Sequence, residues 1–228
     1  MPALRLPDAL PPGIEVHCLE LDLRAGSLAW PGLTPAERER AAGYRQAADR
    51  ARFAQTRAAA RRLLAGRMGC APAEVPLARG PHGKPYVDAA GAPRFSVSHA
   101  GGHALIALAE SATVAQIGVD IEQQADDLLD DADGLLALAL TGMERAAVAQ
   151  SDDPIRAFCA RWVGKEAVLK AVGAGIGEHL RDVGIRPRAD GRLDVLCAVP
   201  AWAGVEAATL AAPPGYAAAL AWRLKEST

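Results

Sequence analysis

FCARWVGKEAVLKAVGAGIG, residues 158–177, is the stretch on which the reading of this chain turns. At helical period Phe158, Trp162, Leu169 and Val172 share one face, as in an amphipathic helix laid on a core. Lys165 falls inside that apolar stripe, where an unpaired ammonium is costly. Glu166 and Lys170 lie one turn apart on its flank, close enough to interact. Gly164 within a helix costs about 1 kcal/mol relative to Ala, which points to a close approach by another element. Gly173, Gly175 and Gly177 then end the helix in a run that accepts positive φ. Lysine is scarce: among 25 basic residues the only four are Lys84, Lys165, Lys170 and Lys225. Two of them stand on this helix, and the chain uses Arg almost everywhere else. A compact ammonium is therefore wanted here, because the two cations are not interchangeable.

Upstream, IGVDIE at 117–122 reads as a strand. Asp120 and Glu122 point to one face, Val119 and Ile121 to the other. Two carboxylates side by side repel unless a cation lies between them, and oxygen ligands of this kind suit Mg²⁺, with Mn²⁺ equally compatible. FSVSHAGGHALIALA at 95–109 reads as strand, glycine turn and strand, with Ser98 and His99 at the end of the first strand. GPHGKP at 80–85 is a turn carrying Lys84. The alternation of IEVHCLELDL, 14–23, predicts an edge or half-buried strand.

Thr34-Pro35-Ala36-Glu37 predicts an N-cap, a proline at N1 and an acid at N3. From 38 to 67 the pattern is helical and rich in Arg, mostly a solvated face, part of it suited to a phosphate or an acidic partner. The acidic segment 126–133 reads as a solvated loop or helix start, and Asp152-Asp153-Pro154 caps the helix through 158–172. Strands follow at 183–187, 193–199, 205–210 and 216–222. The expected class is α+β: two halves, 1–113 and 114–228, each a long helix packed on a small, mostly antiparallel sheet.

At 228 residues and net charge −2, the chain has a sizeable core and no global field for nucleic acid or an anionic membrane. No stretch approaches a membrane span, and prolines and an Asp near the start argue against a signal peptide. The expected location is the cytoplasm. Four separated cysteines without a CxxC pair exclude the usual zinc and disulfide frameworks. There is no Walker A loop and no GxGxxG before a helix.

Taken in order, Gly83-Lys84-Pro85, Phe95-Ser96-Val97-Ser98-His99, Gly118-Val119-Asp120-Ile121-Glu122 and Trp162-x-x-Lys165-Glu166-Ala167-x-x-Lys170 resemble the motifs of the 4′-phosphopantetheinyl transferases. The length is similar to the larger, Sfp-type class, in which two pseudo-symmetric halves share one chain. The resemblance implies transfer of the phosphopantetheine arm of coenzyme A to a serine of an apo acyl or peptidyl carrier protein. Adenosine 3′,5′-bisphosphate would be the other product.

By motif position, Asp120, Glu122 and Glu166 would hold Mg²⁺ or Mn²⁺ on the pyrophosphate, with Glu166 also the general base. Lys170, Lys84 and His99 would hold phosphate oxygens, helped by Ser98, and Lys165 would bind or position. Arg52 would meet the 3′-phosphate, with Arg40 as a second match. The same resemblance implies a monomer, because the second half supplies the surface that shorter relatives gain by association. It leaves Glu144 at an acidic family position without an assigned role, and Glu37 where Lys is common. The alternative class is a coenzyme A-binding module without catalysis; a third is a Mg²⁺-dependent pyrophosphatase. Segment 126–140 and the arginine-rich face at 38–67 are the candidate carrier-docking surfaces.

Overall fold

Strand alternation sorts the faces of two antiparallel sheets, and that sorting fixes where the charged residues go. The computed structural model describes residues 10–24, 30–125, 127–129, 133–175 and 177–226. In chain order the elements are β1 (Ile14–Glu20), α1 (Pro35–Ala42), α2 (Ala47–Met68), β2 (Leu77–Arg79), β3 (Pro85–Val87), β4 (Arg94–Ala100), β5 (His103–Ala109) and β6 (Val114–Gln123). Then come α3 (Asp133–Ala139), α4 (Gly142–Ala149), α5 (Pro154–Val172), β7 (Val183–Pro187), β8 (Arg192–Cys197), β9 (Glu206–Thr209) and β10 (Tyr216–Leu224).

One sheet has the order β1-β5-β4 and the other β6-β10-β9-β8-β7; β2 and β3 form a small ribbon. On β5, Ala104, Ile106 and Leu108 face α2 through Ala59, Ala60 and Leu64. Leu105, Ala107 and Ala109 face the other way, onto Val119 and Ile121 of β6 and Leu220 and Trp222 of β10. The second sheet turns its remaining face to α5, with Ala219, Ala221 and Ile185 packed on Val163, Ala167 and Leu169. The layers thus run α2, sheet, sheet, α5, and each half is one long helix on an antiparallel sheet. This is the α+β arrangement expected. Alanine dominates the facing surfaces at the centre of the stack, where the layers come close.

Local signals behave as their chemistry predicts. Thr34 Oγ1 accepts from Glu37 N at 3.3 Å while Glu37 Oε2 accepts from Thr34 N at 3.1 Å, a complete capping box at the start of α1. Asp153 caps α5 through Arg156 N at 2.9 Å. Gly101 and Gly102 make the β4–β5 turn, and β1 lies at a sheet edge. Of segment 126–133, residues 126 and 130–132 lie outside the described residues.

Two expectations need correction. The middle of α5 is not amphipathic: residues 163–169 are all buried, because β6 and β10 cover one side and β7, β8 and α4 the other. A single stripe therefore does not tell which layer a side chain meets. Arg61 is also not solvated. It is 3% exposed, and its guanidinium donates to Glu37 Oε2 at 2.7 Å and to the Pro72 and Val75 carbonyls at 2.8 and 3.0 Å.

Two glycines permit α5 to come this close. A Cβ on Gly164 would lie 3.0 Å from Ile185 Cγ2 and Leu193 Cδ1, which is the close approach its place in the helix implies. A Cβ on Gly118 of β6 would lie 2.0 Å from the Ala167 carbonyl oxygen and 2.4 Å from Ala171 N. Helix backbone rests directly on strand backbone there. Among the described residues no helix is long and apolar enough to cross a membrane.

Candidate active site

The contact at Gly118 sets the geometry of the charged cluster. Gly118, Asp120 and Glu122 share the face of β6 that meets α5, while Ile117, Val119 and Ile121 point into the inter-sheet core. Asp120, fully buried, receives Lys170 Nζ at 2.5 Å and Ser98 Oγ at 2.7 Å, both on Oδ1. Lys170 also donates to Ser98 Oγ at 2.9 Å and lies 3.6 Å from Glu166 Oε2, one turn back on α5. Ser98 comes from β4, which is tied to β6 by Val119 N donating to Ser96 Oγ at 3.1 Å. Glu122 accepts from Trp162 Nε1 at 3.4 Å. The cluster therefore joins both halves of the chain.

Oxygens of Asp120, Glu122 and Glu166 lie within 4.8 Å of one another. Asp120 Oδ2 is buried and has no hydrogen-bond donor, which is expensive for a carboxylate unless something cationic completes it. Burial, reinforced by Asp120 and opposed by Lys170, pushes the Glu166 carboxyl up to about 8. Burial and Asp120 push Glu122 up to about 7. Burial opposes the Lys170 charge, yet Asp120 and Glu166 outweigh it and hold Lys170 above the usual lysine value. One ammonium does not neutralise three carboxylates. A hard divalent ion with oxygen ligands fits this set.

The signs give a test. A carboxyl raised in the folded state favours folding while protonated, so its ionisation costs stability between the unfolded value near 4.5 and the folded values near 7 and 8. The melting temperature of metal-free protein should fall as pH rises across that window. Added Mg²⁺ should raise it more at pH 8 than at pH 5. Calorimetry with and without chelator checks this, and equal Mg²⁺ effects at both pH values would remove the metal assignment.

Residues 116–221 match the family model described as 4′-phosphopantetheinyl transferase superfamily. A Synechocystis sp. protein provisionally named a 4′-phosphopantetheinyl transferase is 34% identical over 158 residues, 66% of this chain and 61% of that protein. Residues 116–221 are thus similar to the 4′-phosphopantetheinyl transferase superfamily. The match spans about three fifths of the Synechocystis protein, 61% of its length. Among solved structures, holo-[acyl-carrier-protein] synthase from Neisseria meningitidis aligns with TM-score 0.42 and 23% identity over 50% of this chain and 99% of that one. A holo-(acyl-carrier-protein) synthase from Bacillus anthracis, solved in complex with CoA (3′,5′-ADP), aligns with TM-score 0.42 and 22% identity over 50% and 99%.

The residues that the superfamily resemblance singled out do not all gather at one place. Asp120, Glu122, Glu166, Lys170 and Ser98 form the cluster above. Lys84 reaches its edge: Nζ donates to the carbonyls of Ile117 (3.0 Å) and Ala171 (2.8 Å), tying β6 to the end of α5. Burial, then Arg94, lowers its pKa to about 8. Lys84 and Lys170 line one cleft of about 220 Å³ with His82, Ser96 and Gly173. His99 stands exposed at the end of β4, and partial desolvation with Lys170 and Arg52 nearby holds its imidazolium below the usual value. Arg52 Nε donates to the Gly101 carbonyl at 2.8 Å and Nη1 to Asp49 at 2.7 Å, so it braces the same turn.

Two expected residues lie elsewhere. Lys165 is fully buried on the opposite side of α5, where it donates to the Leu180 and Val183 carbonyls and pairs with Glu144 at 2.8 Å. It has no surface left for coenzyme A and serves as a core ion pair. Glu144 gains its role here, also accepting from Ile185 N at 2.8 Å. Arg40 lies over the Phe53 ring at 4.8 Å, in an arginine group with Arg57 and Arg61 around Glu37, and makes no contact with the carboxylates.

One residue of the site carried no signal in the sequence. Tyr216 Oη, at the start of β10, accepts from Gly102 N at 3.1 Å, and its ring meets His103 edge-on at 4.7 Å. Gly101 has φ +49, and a Cβ there would lie 2.2 Å from Tyr216 Oη. The second half thereby pins the turn that follows His99. Only the tertiary fold brings Tyr216 to that turn.

Proposed function

We propose that this protein transfers the 4′-phosphopantetheine group of coenzyme A to a serine of an apo acyl or peptidyl carrier protein, releasing adenosine 3′,5′-bisphosphate. The observation that carries the reading is the buried cluster of Asp120, Glu122 and Glu166 with one carboxylate oxygen lacking a donor, set against Lys170. Mg²⁺ held by these three carboxylates would neutralise charge on the pyrophosphate. Lys170 and Lys84, which share a cleft, bind phosphate oxygens, and Arg52 extends that cationic surface toward the 3′-phosphate, with His99 adding a neutral imidazole donor. Lys170 also counters charge that develops on the leaving side. Glu166 takes the proton of the carrier serine as its Oγ bonds to phosphorus and the bond to the bisphosphate oxygen breaks.

On this reading the halves 1–113 and 114–228 are the two functional units, the site lies between them, and the Sfp-type class describes the chain. One chain supplies both sides, so the working form is a monomer. Four free thiols suit the reducing cytoplasm. The test is intact-mass spectrometry of apo carriers from fatty-acid, polyketide and peptide systems after incubation with coenzyme A and Mg²⁺. A phosphopantetheine mass gain is expected. Tight coenzyme A binding with no gain on any carrier would favour a binding module instead.

Tyr216→Phe tests the pinned turn within this reading. Loss of one hydrogen bond, about 0.5–1.5 kcal/mol, should weaken coenzyme A binding severalfold by calorimetry. The turnover rate at saturation should be unchanged.

A further inference from the structure

A cavity of about 800 Å³ opens between α4, β7, β8 and the turn after β8, on the side of α5 opposite the catalytic carboxylates. Its wall is mainly apolar and includes Met143, Ile185, Leu196, Trp202 and Val205. Met143 and Leu196 on this wall are 78% and 61% exposed.

The wall carries three arginines, Arg161, Arg181 and Arg186, and three acids, Glu144, Asp182 and Asp194, and each acid has a partner. Glu144 is taken by Lys165 and Ile185 N, Asp182 by His179 at 2.8 Å, and Asp194 by Arg186 at 2.6 Å and Arg188 at 3.4 Å. Among the described residues neither Arg161 nor Arg181 forms an ion pair. Arg161 Nη1 donates only to the Ala157 carbonyl at 2.7 Å, and its Nε is buried with no acceptor. The wall therefore combines apolar surface with two guanidinium groups that form no ion pair among the described residues, although Glu144 acts on Arg161 through space.

We infer that this cavity binds an amphipathic monoanion, a fatty carboxylate, with its chain along Met143, Leu196 and Val205 and its head at Arg161 and Arg181. A cavity of this size is in the range that holds small ligands, and such sites are largely apolar with a few polar anchors. Guanidinium forks match a carboxylate in a bidentate way. Polar ligands such as nucleotides or sugars would leave the apolar wall unused. Binding here does not depend on the transfer reaction.

The test is calorimetric titration of the full chain with decanoate below its micelle-forming concentration, beside decanol and decyl phosphate. Saturable one-to-one decanoate binding is expected, about tenfold tighter than decanol, since a charge-assisted contact of about 1.5 kcal/mol is about tenfold in affinity. Arg161→Met and Arg181→Gln should each weaken decanoate binding toward the decanol value, and Leu196→Asp should abolish it. Arg181 and Leu196 are exposed, so those two variants keep the fold even if Arg161→Met does not. Equal affinity for decanoate and decanol, decanoate binding unchanged in Arg181→Gln and Leu196→Asp, or no saturable binding would overturn the inference. Decyl phosphate binding tighter than decanoate would overturn the choice of a carboxylate head.

Discussion

Glu166→Gln should make the metal-free protein more stable and, on the proposed function, remove nearly all transfer. Glutamine keeps the shape but can neither accept the serine proton nor complete a three-carboxylate metal site. Removing a general base alone costs about 10²–10⁴ in rate, so transfer measured by carrier mass should fall by about 10³-fold or more. Stability moves the other way. The Glu166 carboxyl is raised to about 8, so its ionised form is disfavoured in the folded protein. That cost is absent below the unfolded value near 4.5 and fully present above the folded one. Without metal the variant and wild type should melt alike at pH 5, and the variant should melt higher at pH 8. A variant that transfers normally would exclude Glu166 as base, and one that melts alike at both pH values would exclude the repulsion inferred among the carboxylates.

Gly118→Ala should be the most damaging small substitution in the chain. Its methyl group would sit 2.0 Å from the Ala167 carbonyl oxygen and 2.4 Å from Ala171 N, and these are helix backbone atoms that cannot rotate aside. Relief requires α5 to lift off β6, which also draws Lys170 and Glu166 away from Asp120. Overpacking usually costs about 1–3 kcal/mol, and with no flexible neighbour the upper end or beyond is expected. At about 2–4 °C per kcal/mol for a chain of this size, the melting point should drop by roughly 10 °C. Gly164→Ala is the control. It meets only side-chain ends of Ile185 and Leu193 at 3.0 Å, which can shift, so it should cost about 1 kcal/mol. Similar losses for the two variants would show that α5 does not rest on β6 as described.

Much of this site was legible in the sequence because it obeys two periods. The two-residue repeat of a strand puts Asp120 and Glu122 on one face, and the four-residue step of a helix puts Glu166 beneath Lys170. What those periods do not give is the identity of the neighbouring layer. Lys165 and Glu166 are adjacent in sequence, yet one faces Glu144 and the other Asp120, because α5 is enclosed on all sides. An apolar stripe has no meaning on such a helix. Arg61 was unreadable for a similar reason: its acceptors are the Glu37 side chain and loop carbonyls at Pro72 and Val75, brought together only by the turn between α2 and β2. Tyr216 belongs to the same class, a contact between chain segments far apart in sequence.

The position of β10 also bears on the life history of the protein. This strand lies inside the second sheet, hydrogen-bonded to β6 on one side and β9 on the other. Among the described strands it is nevertheless the last in sequence. During synthesis on the ribosome, β6 emerges with Asp120 and Glu122 long before the strand that will pair with it, and α5 has no complete sheet to settle on. The Asp120 and Glu122 carboxylates must wait, unassembled with Glu166, until β10 slides into the gap. A nascent chain stopped before 216 should be protease-sensitive and unable to bind coenzyme A.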